Sequence, residues 1–330
     1  MGSTPSTIAE LRESGWEDRT VKEELRHNLL RRMRSGTDLF PGIIGYDDTV
    51  LPSLERAILA GHDMILLGER GQAKTRLIRR LVDLLDETLP VIDGCEINDS
   101  PYSPVCAACR ARVAEEGDAA PVRWIPREDR FAEKLATPDT SVADLIGDVD
   151  PIRVAEGRYL SDELVIHYGL VPRTHRGIFS INELPDLPPR IQVSLLNILE
   201  ERDIQIRGFT VRLPLDVLLV ATANPEDYTN RGRIITPLKD RFGSELRTHY
   251  PLDRLREIEI MQQEAKPAAP GVDVWVPDFF EDIIAEFSHQ IRASGHVNQR
   301  SGVSVRLSIS NLETLIASAV RRAVRTGSDR

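Results

Sequence analysis

The sequence predicts an α/β fold, a parallel sheet covered by helices on both faces, followed by a smaller all-α unit. Three observations carry this. Met64–Leu67, Gly177–Ile181 and Val217–Ala221 are short, continuous apolar runs, the pattern of strands buried on both faces. Segments of helical periodicity separate them, as crossover connections between parallel strands require. After Pro251 only helical periodicity remains, over Asp253–Gln263, Pro277–Ala293 and Ser310–Arg325.

The first 40 residues read as a polar lead-in with one helix. From Asp18 to Met33, Val21, Leu25, Leu29, Leu30 and Met33 recur at helical spacing, and the basic cluster Arg31–Arg34 suits the last turn through the macrodipole. Phe40-Pro41-Gly42 then opens the α/β unit. Thr75–Leu85 is a helix with Leu77, Ile78, Leu81, Val82 and Leu85 inward, and Ile191–Glu201 is another. The expected organisation is therefore 1–40, 41–250 and 251–330, with a linker at Lys266–Gly271. The last helix candidate stops five residues before Arg330, which fits either a natural end or a cut one.

A length of 330 residues agrees with two units at ~100–200 residues each. Apolar residues at 41% and charged residues at 28% exclude general disorder, and 21 Gly and 21 Pro without a period exclude a fibre. Forty-two basic against 52 acidic residues give −10, which argues against a surface built wholly to grip nucleic acid. No apolar run approaches the ~18 residues of a membrane helix, and the start lacks a hydrophobic signal core. Met1-Gly2 with Ser6 fits an N-myristoylation pattern, but Pro5 sits inside it and a disordered start is the reading preferred. Three cysteines are too few for a disulfide scaffold, so a reducing cytoplasm is expected.

Chemistry enters at Gly68-Glu69-Arg70-Gly71-Gln72-Ala73-Lys74-Thr75, between a strand and a helix. A phosphate-binding loop needs that context: its backbone N–H groups and the helix N-terminus face a phosphate chain. Lys74 would reach the β- and γ-phosphates and Thr75 would ligate Mg²⁺. The loop departs from the pattern at Ala73, where Gly is usual. The second apolar strand ends in Asn182-Glu183 where Asp-Glu is usual. Glu183 sits where the base for the attacking water belongs, and Asn182 replaces the acid of the Mg²⁺ shell, which should weaken the metal. The third strand ends in Ala223-Asn224-Pro225, where Asn224 could orient the attacking water.

The order of phosphate loop, acidic strand, Ala-Asn-Pro strand and Pro237-Leu238-Lys239-Asp240-Arg241-Phe242 resembles the AAA+ ATPases. More narrowly it resembles their MoxR branch and the ATPase subunit of magnesium chelatase, over residues 40–325. Phe40–Gly45 is similar to the family's adenine-contacting lead-in, which brings Ile43, Ile44 and Gly45 to the nucleotide. Arg76 follows the loop. Asp144–Gly147 through Gly169-Leu170 and His175–Gly177 resembles the helix-2 insert. Leu196–Arg202 with Gln205–Leu213 resembles a helix and pre-sensor-1 hairpin, in which Ile204, Ile206, Val211 and Leu213 alternate around Gly208.

The resemblance implies that Asn224 is sensor 1, Arg241 an arginine finger acting on the neighbouring subunit, and Arg306 sensor 2 in a helical lid. It implies ATP and Mg²⁺ as ligands and a hexameric, sometimes heptameric, ring. A von Willebrand factor A-type partner, a protein substrate and chaperone-like remodelling follow from the branch. True magnesium chelation, a scaffold with little hydrolysis, and DNA remodelling through Arg207–Arg212 stand as alternatives. Cys95, Cys106 and Cys109 form a C-x10-C-x2-C set readable as Zn²⁺ ligands. A fourth ligand would come through the fold from His62, His167 or His175; unliganded thiols are the other reading.

Overall fold

The computed structural model describes residues 4–155, 163–200, 203–206, 209–224, 233–266, 274–296 and 303–327. Arg207, Gly208, Pro225 and most of the expected linker lie outside the described residues.

Five strands form the main sheet: β1 Met64–Leu67, β2 Phe131–Leu135, β3 Gly177–Asn182, β4 Val217–Ala223 and β5 Ser244–Arg247. Their order is β5-β1-β4-β3-β2, and every pair is parallel. The three central strands are the apolar runs, and β1 is buried throughout. Both edge strands were absent from the expected set. β2 (FAEKL) and β5 (SELR) mix apolar with charged residues and are less buried than the central strands, because one side of an edge strand meets solvent. β4 lies between β1 and β3, so the C-terminal ends of all three converge.

The expected helix after the phosphate loop is Lys74–Arg80, tightened into a 3-10 turn at Leu81–Leu84. Beyond β5 the described elements are helices only: Arg254–Glu264, Asp278–Ala293 and Arg306–Thr326. Glu257 ties them together, accepting from Arg292 Nη2 at 2.7 Å and from the Ser308 hydroxyl.

The N-terminal segment differs from a polar lead-in. It holds two helices, Ile8–Glu13 and Val21–Ser35, the second opened by a Thr20/Glu23 capping box and closed by Gly36. Val21, Leu25 and Leu29 pack in one cluster with Met64, Leu66, Leu77 and Leu218. Glu24, fully buried, receives a two-pronged bond from Arg130, at 2.7 Å and 2.5 Å. The segment belongs to the core of the α/β unit, and its polar composition reflects partners such as Arg130 106 residues away.

Two additions interrupt the α/β order. An antiparallel ribbon, Thr88–Ile92 with Val122–Pro126, encloses the cysteine segment and the helix Ala107–Glu116. A second small antiparallel pair, Gly147–Val149 with Ile166–Tyr168, lies between β2 and β3 in the chain, where the resemblance puts the helix-2 insert. Strands Asp203–Ile206 and Phe209–Arg212 form the expected antiparallel hairpin before β4.

Candidate nucleotide site

The site grows from the end of β1. A Cβ on Gly68 would come within 1.8 Å of Thr248 Oγ1, so only glycine lets the chain turn there. Gln72 then fixes the loop. Its Oε1 accepts from Glu69 N at 3.0 Å and from Thr248 Oγ1 at 2.8 Å, and its carbonyl accepts from Tyr46 Oη at 2.8 Å. The Gln72 side chain is therefore a buried brace for the loop. Tyr46 Oη also bonds His249 O at 2.9 Å; burial pushes this phenol up to about 12, so it stays a donor. Arg70 O accepts from Tyr250 Oη at 2.9 Å.

Ala73 adopts φ 52°, ψ 17°, a left-handed conformation, immediately before the helix Lys74–Arg80. This is where the pattern has Gly, and the alanine methyl costs about 1 kcal/mol there. Lys74 Nζ donates to Gly68 O, to Glu69 O at 2.8 Å and to Asn224 Oδ1 at 3.2 Å. Gly68 and Glu69 thus act through carbonyls that hold the ammonium.

A wide cleft gathers Arg70, Gly71, Gln72, Ala73, Lys74, Thr75, Arg76, Asn182, Glu183, Thr222, Asn224 and Arg306. Six cations line it (Arg70, Lys74, Arg76, Arg79, Arg80, Arg306) against three carboxylates (Asp83, Glu183, Glu264). That excess, with a loop ahead of a helix N-terminus, fits a polyphosphate. Arg76 pairs with Glu264, joining the loop helix to the first helix beyond β5. An adjoining apolar cavity is lined by Gly42, Ile43, Ile44, Gly45 and Tyr46 together with His249, Pro251, Ile260 and Val305. It is the kind of surface a flat base would stack into. Tyr46, His249 and Ile260 had no motif to mark them.

At the end of β3, Asn182 Nδ2 donates to Glu133 on β2, and its Oδ1 accepts from Thr222 Oγ1 at 3.4 Å. Thr222 Oγ1 also accepts from Glu183 N at 3.0 Å. Glu183 itself sits at φ 58°, a strained backbone held by these neighbours. Glu133, also paired with Arg79 at 2.9 Å, brings a carboxylate to the place where the usual Asp is missing. It lies on a strand that periodicity does not reveal.

Arg241 ends the helix Thr236–Arg241, pairs with Glu200 and is not among the residues lining the cleft. Cys95, Cys106 and Cys109 are free, buried and part of the ribbon addition, away from this cleft. None of the three histidines expected to help them does so. His62 bonds Ser244 Oγ, His167 faces Arg173, and His175 Nδ1 accepts from Asp216 N at 2.9 Å.

The five-stranded parallel order and the loop at the end of β1 make up a P-loop fold of the AAA+ type. Residues 123–242 match the family described as AAA domain (dynein-related subfamily). Over a longer stretch the chain is similar to ATPase subunits of magnesium chelatase. Magnesium-chelatase subunit ChlI of Nostoc sp. is 26% identical over 233 residues, 69% of this chain and 58% of the relative. The chloroplastic ChlI-1 of Arabidopsis thaliana is 25% identical over 233 residues, covering 69% and 51%. This chain thus spans little more than half the length of the curated relatives it matches. A chain in a magnesium chelatase BchI–BchD complex, built on a 7.5 Å single-particle reconstruction, aligns with 87% of this chain and 76% of its own at 22% identity, with a TM-score of 0.49.

Proposed function

We propose that this protein is an ATP hydrolase that binds Mg·ATP in the cationic cleft and works as a ring, hexameric by analogy with its branch. The observation that carries the reading is the convergence of Lys74, Glu183, Asn224 and Arg306 on one cleft at the ends of β1, β3 and β4. The base would lie in the apolar cavity beside Ile43, Ile44 and Gly45. Lys74 would release its loop carbonyls for phosphate oxygens.

The residues supply the remaining parts of phosphoryl transfer. Mg²⁺, when bound, would neutralise charge on the phosphates, held through Thr75 with Asn182 and Glu133 nearby. Glu183 takes the proton from water as its oxygen bonds to the γ-phosphorus and the bond to the ADP oxygen breaks. Asn224 orients that water, and Arg306 stabilises the phosphate charge from the lid side. Arg241, exposed and paired with Glu200, acts on the neighbour's nucleotide by analogy with the arginine finger. We assign the output to remodelling of a protein substrate, with a von Willebrand factor A-type partner, in the cytoplasm. No helix among the described residues is long and apolar enough to cross a membrane.

A second reading, a nucleotide-gated scaffold with little turnover, is favoured by the left-handed Ala73 and by Asn182. Phosphate release by wild type and Glu183→Gln separates them. The motor reading expects turnover in the wild type and its loss, with ATP still bound, in the variant. Nucleotide binding without phosphate release in the wild type would establish the scaffold instead. The relatives' name raises magnesium chelation as a third role, to be tested by a coupled chelation assay with partner subunits.

A further inference from the structure

The ribbon addition carries a second site that the nucleotide chemistry does not use. Between Ile92 and the helix Ala107–Glu116 the chain runs through 14 residues (93–106) with no helix or strand. The segment is nevertheless folded tightly around four side chains. One ligand atom from each of Cys95, Asp99, Cys106 and Cys109 lies within 4.8 Å of the other three. All three thiols are free and buried.

Asp99 is the telling residue. It is fully buried. Its Oδ2 accepts from Val105 N at 3.1 Å and Cys106 N at 2.9 Å, which fixes the carboxylate. Its Oδ1 has no hydrogen-bond partner. A buried carboxylate oxygen without a partner is costly and calls for a ligand. The sulfurs are prepared in the same way. Cys95 Sγ accepts from Ile97 N at 3.4 Å and Asp99 N at 3.3 Å, and Cys106 Sγ, capping the helix, accepts from Cys109 N at 3.3 Å. Backbone N–H groups aimed at sulfur offset thiolate charge.

We propose that Cys95, Asp99, Cys106 and Cys109 bind one structural Zn²⁺. Three soft sulfurs and one oxygen suit Zn²⁺ and disfavour Mg²⁺ or Ca²⁺. Four donors saturate a tetrahedral ion and leave no open position, the arrangement of a structural site. With Zn–S near 2.3 Å, tetrahedral sulfurs stand about 3.8 Å apart, inside the observed spread. The Cys-x3-Asp and Cys-x2-Cys pairs come from the two ends of the irregular segment, so the ion closes it into a loop.

The same loop meets the helix-2 insert. Ala107 N donates to Glu163 Oε1 at 2.7 Å, Arg110 pairs with Glu163 at 3.1 Å, and Arg153 pairs with Glu96 at 3.2 Å. The ion thereby locks one addition to the AAA+ core against the other, and its role is to hold shape.

The full chain, purified under reducing conditions without chelator, should contain one Zn²⁺ per chain by elemental analysis. Chelated and reduced, it should take up one Co²⁺ with the intense d–d and sulfur charge-transfer bands of a tetrahedral thiolate site. Asp99→Asn should weaken Zn²⁺ at least about tenfold, and Zn²⁺ should shield all three wild-type thiols from alkylation. If the Asp99 variant does not fold, shielding in the wild type decides. Wild-type protein that takes up neither ion, with thiols alkylated equally fast with and without Zn²⁺, overturns the proposal. So does a Cys106–Cys109 disulfide or an iron chromophore in the protein as isolated.

Discussion

Lys74 Nζ stands 3.2 Å from Asn224 Oδ1, so the phosphate loop after β1 is joined to the tip of β4 by one charge-assisted hydrogen bond. Both residues have a place in the proposed chemistry, but at different stages. Lys74→Ala removes the charge that meets the phosphates, and nucleotide binding should fall at least about 100-fold. Asn224→Ala leaves the loop intact and should lower turnover by about 10²–10³. Its nucleotide affinity should stay within a few-fold. Equilibrium binding of a fluorescent ATP analogue beside phosphate release separates the two.

Ala73 offers a test of backbone strain. A left-handed alanine costs about 1–2 kcal/mol, and glycine gives back about 0.5–1 kcal/mol through the entropy of the unfolded chain. Ala73→Gly should therefore raise stability slightly, by up to about 1 kcal/mol, and quicken nucleotide association. Chemical denaturation reads the first and stopped-flow mixing the second. A clear loss of stability would mean that the methyl has a packing role that its exposed position gives no sign of.

The neutral Asn182 and the charged Glu133 divide a task between two strands. Asn182→Asp would set two carboxylates side by side, a repulsion of about 1–4 kcal/mol without metal. The variant should melt earlier than wild type in chelator and regain stability on adding Mg²⁺. Glu133→Gln should shift Mg²⁺ activation to several-fold higher concentration. Equal Mg²⁺ dependence in all three proteins would remove Glu133 from the metal shell.

The intersubunit role of Arg241 can be read from mixtures. Arg241→Ala and Glu183→Gln rings should each be inactive alone. Mixed and re-formed, they should recover turnover, because a subunit lacking only Arg241 can sit beside one that still presents it. An arginine acting on its own nucleotide gives no recovery.

His175 predicts a pH dependence. Burial, reinforced by neighbouring Arg176, lowers its pKa from 6.5 to about 3. Below pH 6.5 the unfolded chain takes up a proton that the folded chain refuses. Stability should then fall by about 1.4 kcal/mol per pH unit as pH drops from 6.5 toward 3. Asp216, raised by burial to about 6 from 3.8, acts in the opposite sense between those values. His175→Asn keeps an acceptor for Asp216 N and should flatten only the histidine part. The difference between wild-type and variant denaturation profiles across pH isolates it.

The α/β class and the three central strands of the sheet were legible in the sequence because buried central strands are apolar on both faces. Glu133 and the strand that carries it were not, since FAEKL is neither a continuous apolar run nor an alternating one. The phosphate loop could be read residue by residue, but Gln72 could not: its bond to Thr248 crosses 176 residues. The cysteine spacing suggests a ligand set with a histidine as fourth donor, whereas the fold brings Asp99 to the three sulfurs. Asp99, four residues from Cys95, carries no signal until its carboxylate is seen buried. Likewise, the N-terminal helix reads as a lead-in because Glu24 is polar, and its burial is explained only by the distant donors Arg130 and Asp86 N.

Gly71 has φ 79°, and a Cβ there would come within 1.9 Å of Ser304 Oγ. The loop that would cradle a phosphate chain and the residue just ahead of the last helix thus interlock with no room for a methyl. A methyl at position 71, or a bulkier side chain at Ser304, would push the start of the last helix off the loop and carry Arg306 with it, since Arg306 N donates to Ser304 Oγ at 3.2 Å. The fit of two small residues therefore sets how near the last helix brings its arginine to the cleft.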